Sequence, residues 1–340
     1  MKKAVRILSL LLSLLLLFGC SADTVPTTAP ETSGAALESE QAEKTEAALA
    51  EIAKLGASPD DNYRTFYEIF VYSFCDSDGD GIGDLQGVIS KLDYLQELGV
   101  NGIWLMPVHP SQSYHKYDVA DYYAIDPAYG TMEDMDALLL ECEKRDIHVI
   151  LDLVLNHTAN NHPWFEEACD YLRSLPADAQ PNSEECPYVD YYYFQKELAS
   201  GYHEVPGTDW YYEGRFSPHM PDLKLENEAL REDIRDIMEF WLNKGASGFR
   251  LDAVKEFYSG ANAKNAEVLA FLQETAVSIK PDAYLVGEAW DTYATISELY
   301  TSGMTSFFDF PFGNADGYII KTVRGAGKAS VVEKYAQYQE

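Results

Sequence analysis

Basic residues are scarce in this 340-residue chain: 25 Lys and Arg stand against 56 Asp and Glu, a formal net charge of −31 at pH 7. A surface so acidic repels polyanions, which argues against nucleic acid as a partner. Cysteine is also scarce: the five present form neither a CxxC spacing nor a Cys/His cluster, so no zinc site is expected. The apolar run from Ile7 to Phe18 is too short for a comfortable membrane span. Behind Lys2, Lys3 and Arg6 it has the pattern of a targeting segment. Apolar and aromatic residues are not lacking, at 46% and 13% with 24 tyrosines, so a sizeable core is within reach.

The targeting segment ends "LLFGC", which resembles a bacterial lipobox with Cys20 as the lipidated residue. The expectation is a lipoprotein held outside the cytoplasm, at the cell surface, by lipid on Cys20. An ordinary secretory signal that happens to contain a cysteine is the alternative. Residues 21–61 are rich in Ala, Glu, Thr and Ser and bury too little apolar surface to fold, so they form a disordered or loosely helical tether. Export makes disulfides feasible. Cys169 with Cys186 is a plausible pair, and buried free thiols are the equal alternative.

From residue 62 onward, short apolar runs alternate with amphipathic stretches. "YEIFVYSF" (Tyr67 to Phe74), "GIWLMP", "HVILDLVLNH", "GFRLDAV", "YLVGEAW" and "SFFDFPF" are expected strands. Their apolar residues are continuous, as in a parallel sheet covered on both faces. "VISKLDYLQELG", "MEDMDALLLECEKRD", "LREDIRDIMEFWLNKG" and "NAEVLAFLQETAVSIK" are expected helices. This βα repeat predicts an α/β fold, the (β/α)8 TIM barrel. The stretch 158–220 is too long for a loop and is expected to be an inserted domain after the third strand. About six barrel strands are found before Glu340, so the chain is expected to be part of a longer gene product.

The loop "CDSDGDGIGDLQG" (Cys75 to Gly87) begins like an EF-hand. Asp76, Asp78 and Asp80 alternate, Ile82 can offer its carbonyl and Asp84 occupies a ninth position, but Gly87 stands where a bidentate Glu should close the site. Hard oxygen donors favour Ca2+, with Mg2+ second. A solvated acidic turn is the alternative.

In a βα barrel, reactive side chains gather at strand C-termini. Asp252 and Glu288 end successive expected strands, and such a pair suits retaining glycoside hydrolysis, in which the carboxyl groups stand about 5–5.5 Å apart. Arg250 shares a strand face with Asp252 and is expected to lower its pKa, while the apolar setting of Glu288 raises its own. A routine barrel ion pair between Arg250 and Asp252 accounts for the spacing equally well.

The motifs separate these readings. "LDLVLNH", "GFRLD" and "LVGEAWD" resemble, in order, signature segments of the α-amylase superfamily, glycoside hydrolase family 13; "YHKYDVADYY" and "MPDLKLEN" are similar to two more. The resemblance implies Asp252 as nucleophile and Glu288 as acid/base, with Arg250 holding the nucleophile. It also implies His157 as a hydrogen-bonding partner and Tyr117 as a stacking partner of the substrate sugar. It makes the insert the family's domain B and the acidic loop a calcium site that several members carry after the first strand. His115 occupies a substrate-contacting position where exo-acting α-glucosidases usually carry Asp, and it favours an α-amylase-like enzyme, although Lys116 replaces the usual Gly. The family's third carboxylate, in an "NHD" segment, is not found. The resemblance therefore implies cleavage of α-1,4-glucosidic bonds in starch, glycogen or maltooligosaccharides. An α-glucosidase, oligo-1,6-glucosidase or neopullulanase-like enzyme is the alternative, and a non-catalytic glucan-binding lipoprotein is a third.

Overall fold

The computed structural model describes residues 65–315 and 317–325; Cys20 and the tether to residue 61 lie outside the described residues. Strands β1 (Phe66–Ile69), β2 (Gly102–Leu105), β3 (His148–Leu153), β7 (Gly248–Leu251), β8 (Tyr284–Gly287) and β9 (Ser306–Phe307) make one six-stranded sheet in that order. Every neighbouring pair in it is parallel. The sheet curves as the wall of a (β/α)8 barrel. Phe66 of β1 stacks on Tyr284 of β8 at 5.3 Å between ring centroids, although three strands lie between them in the sheet order.

The crossovers are helical for local reasons. Helices α1 (Leu85–Ser90) and α2 (Leu92–Glu97) join β1 to β2, and α3 (Met132–Glu143) leads to β3. Thr131 and Asp134 form a reciprocal capping box at the start of α3. Met135, Leu138, Leu139 and Cys142 then recur at helical spacing and are buried. Helix α5 (Glu228–Lys244) starts where Asn227 Oδ1 accepts the Leu230 N–H at 2.9 Å, and it stops at Gly245, whose φ of 120° suits glycine. Helix α6 (Asn262–Ile279) connects β7 to β8, and α7 (Tyr293–Leu299) follows β8.

The first expected strand is shorter than its apolar run. β1 ends at Ile69, and Val71–Phe74 form a single helical turn. The acidic loop folds back on this turn, with Gly83 N–H bonded to the Tyr72 carbonyl at 2.7 Å and Asp84 N–H to that of Cys75 at 3.1 Å. Val71 stays buried without being a strand residue, which is why the run looked continuous. Gly87 also has a steric reason. A Cβ there would lie 1.9 Å from the Cys75 carbonyl oxygen, so no glutamate can close the loop. At the other end, "SFFDFPF" gives a strand only at Ser306–Phe307, after which Asp309 caps a single turn at Phe310–Gly313.

Between β3 and α5 the chain leaves the barrel. The excursion carries α4 (Pro163–Ser174) and an antiparallel sheet of β4 (Phe194–Gln195), β6 (Tyr211–Glu213) and β5 (Tyr202–Glu204) in that order. Helix α4 has a cap that hydropathy alone does not flag: the His162 ring accepts the Trp164 N–H at 3.2 Å, and Pro163 takes the first helical position. The rings of Tyr192 and Tyr212 pack on Phe165 at 5.1 and 4.8 Å. The four described cysteines are free, so the Cys169–Cys186 bridge is not formed. Cys142 and Cys169 are buried, which pushes both thiols up to about 12 and leaves them unreactive.

Candidate active site

Asp152 is the next-to-last residue of β3, Arg250 lies in β7 directly opposite it in register, Asp252 follows β7, and Glu288 follows β8. Strand alternation turns these side chains toward the barrel interior. Arg250 is the centre of the group. Its Nη1 donates to Asp252 Oδ1 at 2.6 Å and to Asp152 Oδ1 at 2.8 Å, and its Nη2 lies 2.9 Å from Glu288 Oε2. Three rings enclose the guanidinium: Trp104, Tyr117 and Phe308, with centroids at 5.0, 5.6 and 5.9 Å. Asp152 is satisfied from the other side. Its Oδ2 accepts from Trp104 Nε1 and from the Tyr117 hydroxyl, each at 3.1 Å.

More negative charge converges here than one guanidinium neutralises. Burial pushes Asp152 up to about 7 against the pull of Arg250. Asp252 is raised too. Burial outweighs Arg250, which corrects the expectation that the arginine sets a low pKa for this group. Burial also raises Glu288, Arg250 opposes it, and the charge of Asp252 adds to the rise. The two carboxyl groups also act on each other, in the sense that lowers Asp252 and raises Glu288. Glu288 Oε2 faces Arg250 Nη2 and accepts the Ala253 N–H at 3.1 Å, which leaves Oε1 as the oxygen able to carry a proton. Ala253 has φ 46°, a left-handed conformation that a residue with a Cβ adopts only when its surroundings impose it.

The remaining sequence-selected residues fall around this group. Tyr117 is inside it through Asp152. His115 supports Tyr117 from behind, its Nδ1 accepting the Tyr117 N–H at 3.1 Å. His157 is buried one layer further out. Its Nε2 lies 3.1 Å from the Tyr117 carbonyl and its Nδ1 3.4 Å from Asn156 Nδ2, and burial lowers it to about 4, so it is neutral and held by protein on both nitrogens. Lys116, with φ 63°, buries its ammonium against Asp126 at 2.6 Å and over the Tyr129 ring. Trp104 and Phe308 were not selected from the sequence. Trp104 shares its strand face with Gly102, beneath which Phe66 stacks, and that parity was the available signal.

In the acidic loop, one carboxylate oxygen each from Asp76, Asp78 and Asp84 lies within 4.8 Å of the others. Asp80 is outside this set and turns its Oδ1 to the Ile82 N–H at 2.7 Å, so the alternating ligand pattern is only partly realised. Backbone N–H groups of Gly79 and Gly81 lower Asp76. Burial works against Asp84, but bonds from Ser77 and Gly87 outweigh it and lower that group as well. Three hard oxygen donors on one side of a loop fit a cation such as Ca2+.

The family description "Alpha amylase, catalytic domain" matches residues 68–338. Alpha-amylase 3 of Dictyoglomus thermophilum is 45% identical over 253 residues, 73% of this chain and 48% of that protein. Glucan 1,6-alpha-glucosidase of Streptococcus pneumoniae is 40% identical over 250 residues, 69% of this chain and 44% of the relative. Among solved structures, Amy13B of Eubacterium rectale superposes with a TM-score of 0.79 at 51% identity, covering 82% of this chain and 55% of its own. The chain thus spans about half the length of the relatives it matches.

Proposed function

This chain belongs to the α-amylase catalytic-domain family of glycoside hydrolases, and from that premise we propose that it hydrolyses α-1,4-glucosidic bonds of α-glucans with retention of configuration. The observation that carries the proposal is the pair of carboxyl groups held on one guanidinium, Asp252 Oδ1 on Arg250 Nη1 at 2.6 Å and Glu288 Oε2 at 2.9 Å from Nη2. Two carboxyl groups gathered on one guanidinium suit the close pair of a retaining mechanism, at about 5–5.5 Å, better than the wider pair that an inverting mechanism needs to hold a water. Arg250 holds Asp252 Oδ1, so Oδ2 is the atom that attacks the anomeric carbon. Glu288 gives its proton to the departing glycosidic oxygen, and a glycosyl ester forms on Asp252. Glu288, now a carboxylate, takes a proton from water, which attacks the anomeric carbon and releases Asp252.

The linkage is tested with maltoheptaose against an isomaltooligosaccharide of equal length. The expected result is kcat/KM at least roughly tenfold higher on maltoheptaose, a difference within reach of pocket contacts. The reverse order would favour an α-1,6-glucosidase, the reading supported by the similarity to glucan 1,6-alpha-glucosidase.

The proposal places Ca2+ at Asp76, Asp78 and Asp84, bracing the rim beyond β1 without entering bond cleavage. Chelation should lower the melting temperature of the intact protein by about 5 °C or more, as removal of a ligand bound only by the folded state does. Asp78→Ala should melt lower and no longer respond to chelator. An unchanged melting temperature on chelation removes calcium from the account.

A further inference from the structure

One side chain of the insert that the chemistry above does not use reaches the turn beside the active site. Arg215 follows β6 and faces three elements. Its Nη2 donates to Glu213 Oε1 at 2.9 Å within the insert, and its Nε lies 4.0 Å from Asp222 Oδ2, whose other oxygen accepts from Asn156 Nδ2 beyond β3. Its Nη1 donates to the main-chain carbonyl of Glu256 at 3.2 Å and lies 3.5 Å from the Glu256 carboxylate. Glu256 closes the turn that begins at Ala253: its N–H bonds to the Ala253 carbonyl at 2.8 Å. Two successive N–H groups of that turn hold Glu288, Ala253 on Oε2 and Val254 on the main-chain carbonyl, each at 3.1 Å. The turn is left-handed at Ala253, a shape that its tethers hold. Asp252 anchors one end through Arg250; at the other, Asn265 Nδ2 donates to the Lys255 carbonyl at 2.8 Å and Arg215 holds Glu256 from the insert.

We propose that Arg215 is a positioning residue for the proton donor: its grip on the Glu256 carbonyl maintains the left-handed turn whose Ala253 N–H keeps Glu288 Oε2 an acceptor and Oε1 the proton-bearing oxygen. This rests on the reading of Glu288 as acid/base. A guanidinium suits the task because its fork bonds a carbonyl and a carboxylate at once, which an ammonium cannot do with the same geometry. The insert is thereby coupled to proton donation, a role separate from any contact it makes with substrate.

The test compares Arg215→Ala and Arg215→Lys with the unsubstituted intact protein on a maltooligosaccharide and on an α-maltosyl fluoride. Fluoride departs with little help from an acid, whereas a sugar alkoxide does not. Losing the Ala253 N–H bond, which favours the ionised carboxylate, also moves the alkaline limb of kcat/KM to higher pH. The expected result for Arg215→Ala is a loss of roughly tenfold or more on the maltooligosaccharide, less than about twofold on the fluoride, and an alkaline limb displaced upward. Arg215→Lys should show the same leaving-group signature, and it carries the test if the alanine variant does not fold. Equal losses on both substrates with an unmoved limb, or unchanged turnover by the lysine variant, overturn the proposal. Unimpaired fluoride turnover by Asp252→Ala would instead overturn the reading of the site, whatever Arg215 does.

Discussion

Asp252→Ala is expected to lower kcat on maltooligosaccharides by about 10⁴-fold or more, the scale seen when a covalent nucleophile is deleted and only binding remains. Binding of substrate should persist, because Tyr117, the expected stacking partner of the sugar, and the Arg250 it faces are left in place. Folding should persist as well, and the sign of the titration says why. Asp252 is held above its ordinary value by burial, so its ionised form is a cost to the folded state. The stability associated with its protonation is present at low pH and lost as pH rises through the folded value. A variant without the carboxyl therefore keeps or exceeds the parent's melting temperature at pH 8. A low melting temperature with residual turnover would point to a structural carboxylate. On the proposed mechanism, activity of the unsubstituted protein is expected to fall toward acid as Asp252 takes up a proton and toward alkali as Glu288 loses one, giving a bell whose alkaline limb reports Glu288.

Arg250→Leu has the second-largest expected effect, and it acts on stability and chemistry together. Asp152, Asp252 and Glu288 all lose the cation they share. Breaking a buried ion pair from one side costs about 3–5 kcal/mol, because the remaining charge is uncompensated. The carboxyl groups answer by binding protons, so Asp252 is no longer a nucleophile at neutral pH, and kcat should fall by roughly 10³-fold or more. With all three values raised further, the stability deficit relative to the parent is smallest at acid pH and grows as pH rises. Arg250→Lys should recover little: one ammonium cannot contact three carboxylates that now divide between Nη1 and Nη2, nor lie flat among three rings. Thermal melts at pH 5 and pH 8, with kcat/KM for both variants, check this. A deficit independent of pH would mean that the arginine's packing, not its charge, carries the effect.

The juxtaposition of Asp252, Glu288 and Arg250 was legible because strand parity and position leave few choices. Arg250 and Asp252 share a face of β7, and Glu288 ends the neighbouring strand. Asp152, opposite Arg250, matches by the same register. Less legible were features decided by contacts distant in sequence. The run at Tyr67–Phe74 left the sheet because Gly83 and Asp84 bond back to it. The shortfall of ligands at Asp80 and the absence of a glutamate at Gly87 come from how tightly this loop folds against Cys75. The balance of burial against Arg250 at Asp252 depends on how deep the pair lies, which no motif records. Arg215 gave no signal at all, since its partners come from the insert, the end of β3 and the turn beyond β7.

The central claim is a covalent glycosyl-enzyme on Asp252. Incubation of the intact protein with a 5-fluoro-α-glucosyl fluoride, followed by proteolysis and mass spectrometry, tests it most directly. The account predicts one added fluoroglucosyl group, mapped to the peptide containing Gly248–Asp252 and absent in Asp252→Ala. Label on any other carboxylate, or no label together with an inverted product anomer, would contradict it.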